Sequence, residues 1–289
     1  MKKIIFALII LLSIPVYSEG KDVFAGRQKK FIKELFQSGD YFNTIAETRR
    51  LQLYDNDPEL EYFIYTCYYL AGQYRTVTGQ YKPAPDSNKY LPLMLLVSQS
   101  FIRLEDYTSA YSLLGPHSYA GFEQTAAFNF LLRRVEPLVL AGDFEPLDSE
   151  LKDASQVLGS YPDFIQLKQD LEAFRENQGI NPAAGAVMSA VIPGLGQLWS
   201  GRLIDAFLSL ASVALPAAGG IYMKNQGHAG TAYTLFFFTG VFYAGNVYGG
   251  YNSAMRDNRE KCIDNHSQMI SRYGRYDPVV YIKFGSVFN

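Results

Sequence analysis

Two patterns of apolar and polar positions divide the chain. From roughly residue 20 to residue 178, apolar residues recur at spacings of three and four, as in Phe31, Ile32, Leu35 and Phe36, in Leu60, Phe63, Ile64, Cys67 and Tyr68, and in Leu151, Ala154, Val157 and Leu158. That period places them on one face of an amphipathic helix, and no strand-like alternation of comparable length interrupts it. Breaks fall at Asp55-Asn56-Asp57-Pro58, at residues 82–88, at Leu114-Gly115-Pro116 and at Tyr161-Pro162, where proline or glycine cannot continue a helix. Further on the apolar residues become nearly continuous. The runs 203–223 and 229–248 are each about the 20 residues an α-helix needs to cross a hydrocarbon core.

The two ends of the chain read differently. Lys2 and Lys3, the apolar stretch Ile4 to Ile14, and the small residue Ser18 form a secretory signal of bacterial type over residues 1–18. The last residues, Val279 to Phe288, alternate in part and read as a lone strand or an ordered tail. The expected organisation is a signal peptide over 1–18, a helical domain over 19–178, a transmembrane module of two to three helices over 179–252, and a polar tail over 253–289.

A repeat underlies the helical part. Ser38-Gly39-Asp40-Tyr41, Ala71-Gly72-Gln73-Tyr74, Leu104-Glu105-Asp106-Tyr107 and Ala141-Gly142-Asp143-Phe144 each set a tight polar turn directly before an aromatic residue. The aromatics lie 33, 33 and 37 positions apart (41 to 74, 74 to 107, 107 to 144), near the roughly 34-residue period of tetratricopeptide repeats. The segment resembles that family, which implies stacked antiparallel helix pairs in which each turn and aromatic opens the second helix. Three residues after each aromatic stand Thr44, Val77, Ala110 and Leu147. Only Ala110 matches the small residue of the family pattern, so the resemblance is degenerate and helix packing is altered; the alternative is an unrelated helical bundle. Tyr41, Tyr74, Tyr107 and Phe144 are candidate partner-binding aromatics, and Tyr62, Phe63, Tyr65, Tyr68 and Tyr69 could line a groove. At helical spacing such residues also serve as core.

In the apolar third, Pro193-Gly194-Leu195-Gly196-Gln197 has neither the third glycine of a dinucleotide loop nor the lysine of a phosphate loop. It reads instead as a helix break at membrane depth, flanked by Gly185, Ala186, Ser189 and Ala190, which permit close helix approach. Gln197 could satisfy freed backbone groups, Trp199 could sit at the interface, and Arg202 and Asp205 could pair near the headgroups. Asn246 could bond Gln197 or the backbone near Gly194. Pro193, Gly194, Gly196, Gln197, Gly201, Asn246 and Gly249 together resemble a membrane module found at the C-terminus of bacterial envelope proteins, loosely similar to TM2-type hairpin domains. The resemblance implies no reaction. Three crossings over about 182–200, 203–223 and 229–250 would put Arg256, Arg259, Lys261, Arg272 and Arg275 inside; if the first segment only dips into the bilayer, the tail lies on the other side.

Composition adds exclusions. Net charge is -2, with Lys+Arg 26 against Asp+Glu 28, so a nucleic-acid partner has no electrostatic support. His117, His228 and His266 lack metal-ligand spacing, and Asp55 and Asp57 lie in a turn. Catalytic, metal and cofactor residues are therefore not expected. The chain reads as all-α: an exported tetratricopeptide-like solenoid followed by a small transmembrane bundle. The expected role is a non-enzymatic, inner-membrane-anchored envelope protein that binds another protein from the periplasmic side. The alternative is a transport or channel subunit with a periplasmic helical domain.

Overall fold

The computed structural model describes residues 25–55, 57–82, 91–115, 119, 121–275 and 277–281. The expected signal peptide, the proline-rich turn at 83–88, His117 and the chain beyond residue 281 lie outside these. Among the described residues the secondary structure is entirely helical. The chain divides into two compact units, one formed by residues 1–120 with 275–289 and one by residues 121–274.

The first unit holds α1 (residues 25–37), α2 (Tyr41–Leu51), α3 (Pro58–Leu70), α4 (Tyr74–Gln80), α5 (Leu91–Arg103) and α6 (Tyr107–Leu114). The aromatic residues Tyr41, Tyr74 and Tyr107 are the first residues of α2, α4 and α6. The turn before each has one geometry. Gly39, Gly72 and Glu105 take left-handed φ values of 78°, 72° and 60°, and the next amide bonds back five residues, Asp40 N to Leu35 O at 3.0 Å, Gln73 N to Tyr68 O at 2.9 Å and Asp106 N to Phe101 O at 3.0 Å. This bond closes the preceding helix, and a left-handed residue is what permits it. Asp40 and Asp106 then cap the next helix by accepting from the amides of Asn43 and Ser109. Thr44, Val77 and Ala110, one turn further on, are all buried. The small Ala110 lets its carbonyl accept a 3.0 Å hydrogen bond from Ser98 Oγ of the paired helix α5.

In the second unit are α7 (Gln124–Ala141), α8 (Leu147–Leu158), α9 (Pro162–Glu176), α10 (Pro182–Val191), α11 (Leu195–Trp199), α12 (Leu203–Asn225) and α13 (Ala229–Tyr273). Gly142 and Asp143 repeat the same turn, but Phe144 precedes α8 by three residues because Glu145 and Pro146 intervene. Residues 253–273, expected as the start of a polar tail, instead continue α13. The reason is compositional: 253–273 contains neither glycine nor proline, and the helix stops where Gly274 takes φ 90°. The expected C-terminal strand is absent over its described part, since Pro278–Tyr281 forms a 3-10 turn.

α13 is thus one helix of 45 residues, about 68 Å long at 1.5 Å per residue, with two environments. Its second half packs on α7 and α9. His266 Nε2 lies 2.9 Å from Glu136 Oε1, Arg133 Nη1 reaches Glu136 Oε2 at 2.9 Å, and the Tyr273 hydroxyl donates to Asp170 Oδ2 at 2.7 Å. Its first half lies against α12 and leaves large apolar side chains uncovered, Tyr233, Phe237 and Tyr248 being about two-thirds exposed.

Candidate functional site

The sequence motif lies where α10, α11, α12 and α13 meet. Among the described residues α12 is the one helix long and apolar enough to cross a membrane, and most of its surface is uncovered, with Ile204 76% and Leu215 72% exposed. A core helix of a water-soluble protein would bury those side chains. α12 and α13 form an antiparallel pair: Gly219 faces Leu235, and Gly220 sits against the Phe236 ring.

Segment 182–200, expected as a crossing or a dip, forms two short helices that run in opposite directions along α13. α10 descends: Ile180 O accepts from Asn258 Nδ2, Gly185 lies against Gly250 and Ala254, Ser189 O accepts from Asn246 Nδ2, and Ala190 O accepts from the Tyr243 hydroxyl. Its partners therefore move from 258 to 243 along α13. α11 then returns: Gln197 lies beside Gly249, and Ser200 and Gly201 share a cavity of about 600 Å³ with Asp257 and Glu260. Both ends of the segment lie beside the same stretch of α13. The ten residues of α10 reach about 15 Å, half of a hydrocarbon core of about 30 Å.

The break between α10 and α11 is wired by side chains from elsewhere. Pro193 has no amide hydrogen, so the carbonyl of Ser189, four residues earlier, has no helical donor. Asn246 Nδ2 supplies one at 2.7 Å. The Tyr243 hydroxyl serves the next carbonyl, Ala190 O, at 2.6 Å. Gly194 takes φ 90°, which turns its amide out of α10 and onto Asn246 Oδ1 at 2.8 Å. Gly196 N donates to Ser189 Oγ at 3.0 Å, and that hydroxyl donates to Gln197 Oε1 at 2.8 Å. Gln197 Nε2 bonds Asn246 O at 3.2 Å and Ser209 Oγ of α12 at 3.1 Å. Asn246, Gln197 and Ser189 are all buried. A knot of this kind satisfies backbone groups that the break leaves without helical partners.

Several motif residues act through size. A Cβ on Gly196 would collide with the carbonyl of Gly185, and one on Gly249 would lie 2.8 Å from Gln197 Nε2. Gly201 (φ 75°) turns the chain into α12, where Arg202 Nε pairs with Asp205 Oδ2 at 2.6 Å. Trp199, the last residue of α11, is 64% exposed. Ser189 stood out in the sequence only as a small residue, while Ser209 and Tyr243 did not stand out at all. The available signal was Pro193: a proline at i orphans the carbonyl at i−4, and the Tyr243-to-Asn246 spacing puts two polar groups on one helix face.

The candidate aromatics are packing residues in part. Tyr41 meets Phe36 edge-on at 5.8 Å and Tyr74 meets Tyr69 at 5.4 Å, both half-buried; Tyr107 is half-buried, and Phe144 is buried. Phe63, Tyr65 and Tyr69 are core. Tyr62 and Tyr68 are partly exposed, and Arg49 donates to the Tyr68 hydroxyl at 3.0 Å.

A buried polar cluster in the second unit escaped the sequence reading. Beside the Arg133, Glu136 and His266 contacts, Arg134 pairs with Glu150 of α8, and Arg133 Nη2 donates to Gly274 O at 3.2 Å. Nearby, burial pushes the Asp170 carboxyl up, but hydrogen bonds from Tyr273, Arg272 and Gln166 outweigh it and hold the group below its ordinary range. Burial, followed by the bond to that carboxylate, pushes the Tyr273 phenol up. Burial pushes the Cys67 thiol up to about 12; it and Cys262 are both free. Among the described residues no group of three or more His, Cys, Asp or Glu could hold a metal ion. Asp55 pairs with Lys29, and Asp57 caps α3.

Comparison of the chain with protein-family models, with curated proteins and with solved structures finds no match.

Proposed function

We infer that the protein is a membrane-anchored scaffold of the bacterial envelope, in which α12 and the first half of α13 form a two-pass hairpin and a tetratricopeptide-like array binds another protein. The observation that carries this reading is α13 itself. One unbroken helix has an uncovered apolar half and a half packed into a polar-surfaced helical body. Burying that apolar surface in lipid is the simplest way to remove it from water.

The packing supports a two-crossing reading. α7 to α9 and the second half of α13 belong to one body, so a chain that leaves through α12 must return through α13. The α10–α11 segment enters and leaves by the same face. This favours, of the two alternatives the sequence leaves open, the one in which the segment 182–200 dips into the bilayer and the second half of α13 lies on the same side as α7. The signal expected over residues 1–18 would make that side the periplasm.

Protein binding is supported by the four-fold turn-and-aromatic repeat, whose left-handed turns share one hydrogen-bond pattern. Such helix pairs present extended surfaces. The polar knot supports anchoring rather than transport, because Ser189, Gln197 and Asn246 bond one another and the backbone. The test combines alkaline extraction of membranes with affinity purification from cells. The full chain resists extraction and retains a stoichiometric partner; deletion of residues 25–115, which lie in the first unit, keeps the resistance and loses the partner. Release from membranes at alkaline pH, or a partner that survives the deletion, contradicts the reading.

A further inference from the structure

Helix α5 is buried around its whole circumference, since Leu93 to Ser100 are buried without interruption, more than two turns at 3.6 residues per turn. A helix covered on all sides needs neighbours on all sides. Helices α3, α4 and α6 are three of them. Another is the turn Pro278–Tyr281, which the chain brings back to the first unit after completing the second.

This turn sits on α3 and α5 in the manner of a bound peptide. Pro278 is buried, and its carbonyl accepts a 2.7 Å hydrogen bond from the Tyr62 hydroxyl of α3. Asp277 Oδ1 accepts from Val279 N at 2.9 Å and sets the turn. Val280 is 75% exposed. The contact thus uses a buried proline ring and a main-chain carbonyl, features any peptide carrying Asp-Pro could reproduce.

We propose that the face of α3 and α5 around Tyr62 is a peptide-binding surface occupied in cis by residues 277–281, and that a protein partner binds by presenting an Asp-Pro segment that displaces them. The proposal deepens the protein-binding reading above and rests on it. A contact of the size that the described residues 277–281 make is weak between separate molecules and persists when a tether keeps the turn near its site. At an effective concentration of about 1 mM and an intrinsic dissociation constant of about 0.1 mM, cis occupancy weakens a competing peptide about tenfold.

The probe is a fluorescein-labelled synthetic peptide of residues 275–289, titrated by anisotropy into the full chain in detergent and into the full-length variant Pro278→Asp. That change loosens the cis turn and leaves the receiving face intact. The peptide should bind the variant about tenfold more tightly than the wild-type chain, and Tyr62→Phe added to the variant should weaken binding again. Equal affinity for wild type and variant, or no binding to either, overturns the proposal. Hydrogen exchange on the wild-type chain guards against a variant that misfolds. A displaceable turn exchanges residues 277–281 much faster than α5, whereas equal protection makes the turn a fixed part of the core and overturns it. Neither result touches co-purification of a partner with residues 25–115, so the two readings fail separately.

Discussion

Replacing Asn246 with alanine removes the side chain that repairs the break at Pro193. Two backbone groups are then orphaned: Gly194 N, 2.8 Å from Asn246 Oδ1, and Ser189 O, 2.7 Å from Nδ2. Neither has a replacement within the helix, because Pro193 lacks the amide that would serve Ser189 O and Gly194 is turned away by its positive φ. A buried unsatisfied backbone group costs about 1–3 kcal/mol. Hydrogen bonds between helices in a membrane measure nearer 1 kcal/mol, because the unfolded chain in lipid also finds partners. Two groups at the lower figure give about 2 kcal/mol of lost stability. The assay is reversible unfolding in mixed micelles, following Trp199 fluorescence. Tyr243→Phe, which removes one donor from Ala190 O, serves as a calibrant at about 1 kcal/mol. A loss below about 0.5 kcal/mol for Asn246→Ala would refute the claim that this side chain closes the break, since it would fall under the cost of even one orphaned group.

Other substitutions separate packing from polarity. Gly196→Ala drives a methyl into the Gly185 carbonyl, whereas Gly245→Ala meets nothing within 4 Å; the first should cost about 3 kcal/mol in the same unfolding assay and the second almost nothing. Glu136→Gln leaves Arg133 and His266 without their carboxylate and should cost about 3 kcal/mol, visible as a lowered melting temperature. Asp170 has a folded pKa below its ordinary value, so in acid the unfolded chain takes the proton more readily. Its stabilising contribution is therefore complete above about pH 4 and is lost as pH falls through the folded value. Thermal melts between pH 6 and pH 2.5 should show that acid slope, and Asp170→Asn should flatten it.

Much of the helical half was legible because its signals are local. Each polar turn before an aromatic ends one helix and starts the next through bonds within six residues, and the resemblance that the repeat carries implied helix starts at Tyr41, Tyr74 and Tyr107. The same logic slipped at Phe144, where Pro146 delays the helix. The motif around Pro193 was legible in its residues but not in its path. Pro193 marked a break, yet only the partners on α13 reveal that the chain turns back there, and those partners are about fifty residues away. The sequence marks the second half of α13 only as the start of a polar tail. In the folded chain one face carries His266, Met269 and Tyr273 onto α7 and α9, a pattern that cannot be recognised without knowing what it packs against.

The most direct test of the anchor is thiol labelling of intact cells with a membrane-impermeant reagent, using Ser149→Cys, Gln226→Cys and Asp264→Cys one at a time in a Cys262→Ser background. These three positions are exposed, and Cys67 is buried with a thiol pushed up to about 12, so it stays silent in the folded chain. Two crossings with an exported helical body predict that Ser149→Cys and Asp264→Cys label from outside, while Gln226→Cys, at the hairpin tip, labels only after lysis. Labelling of Asp264→Cys on the opposite side from Ser149→Cys, or of Gln226→Cys on the same side as both, would contradict the two-pass hairpin.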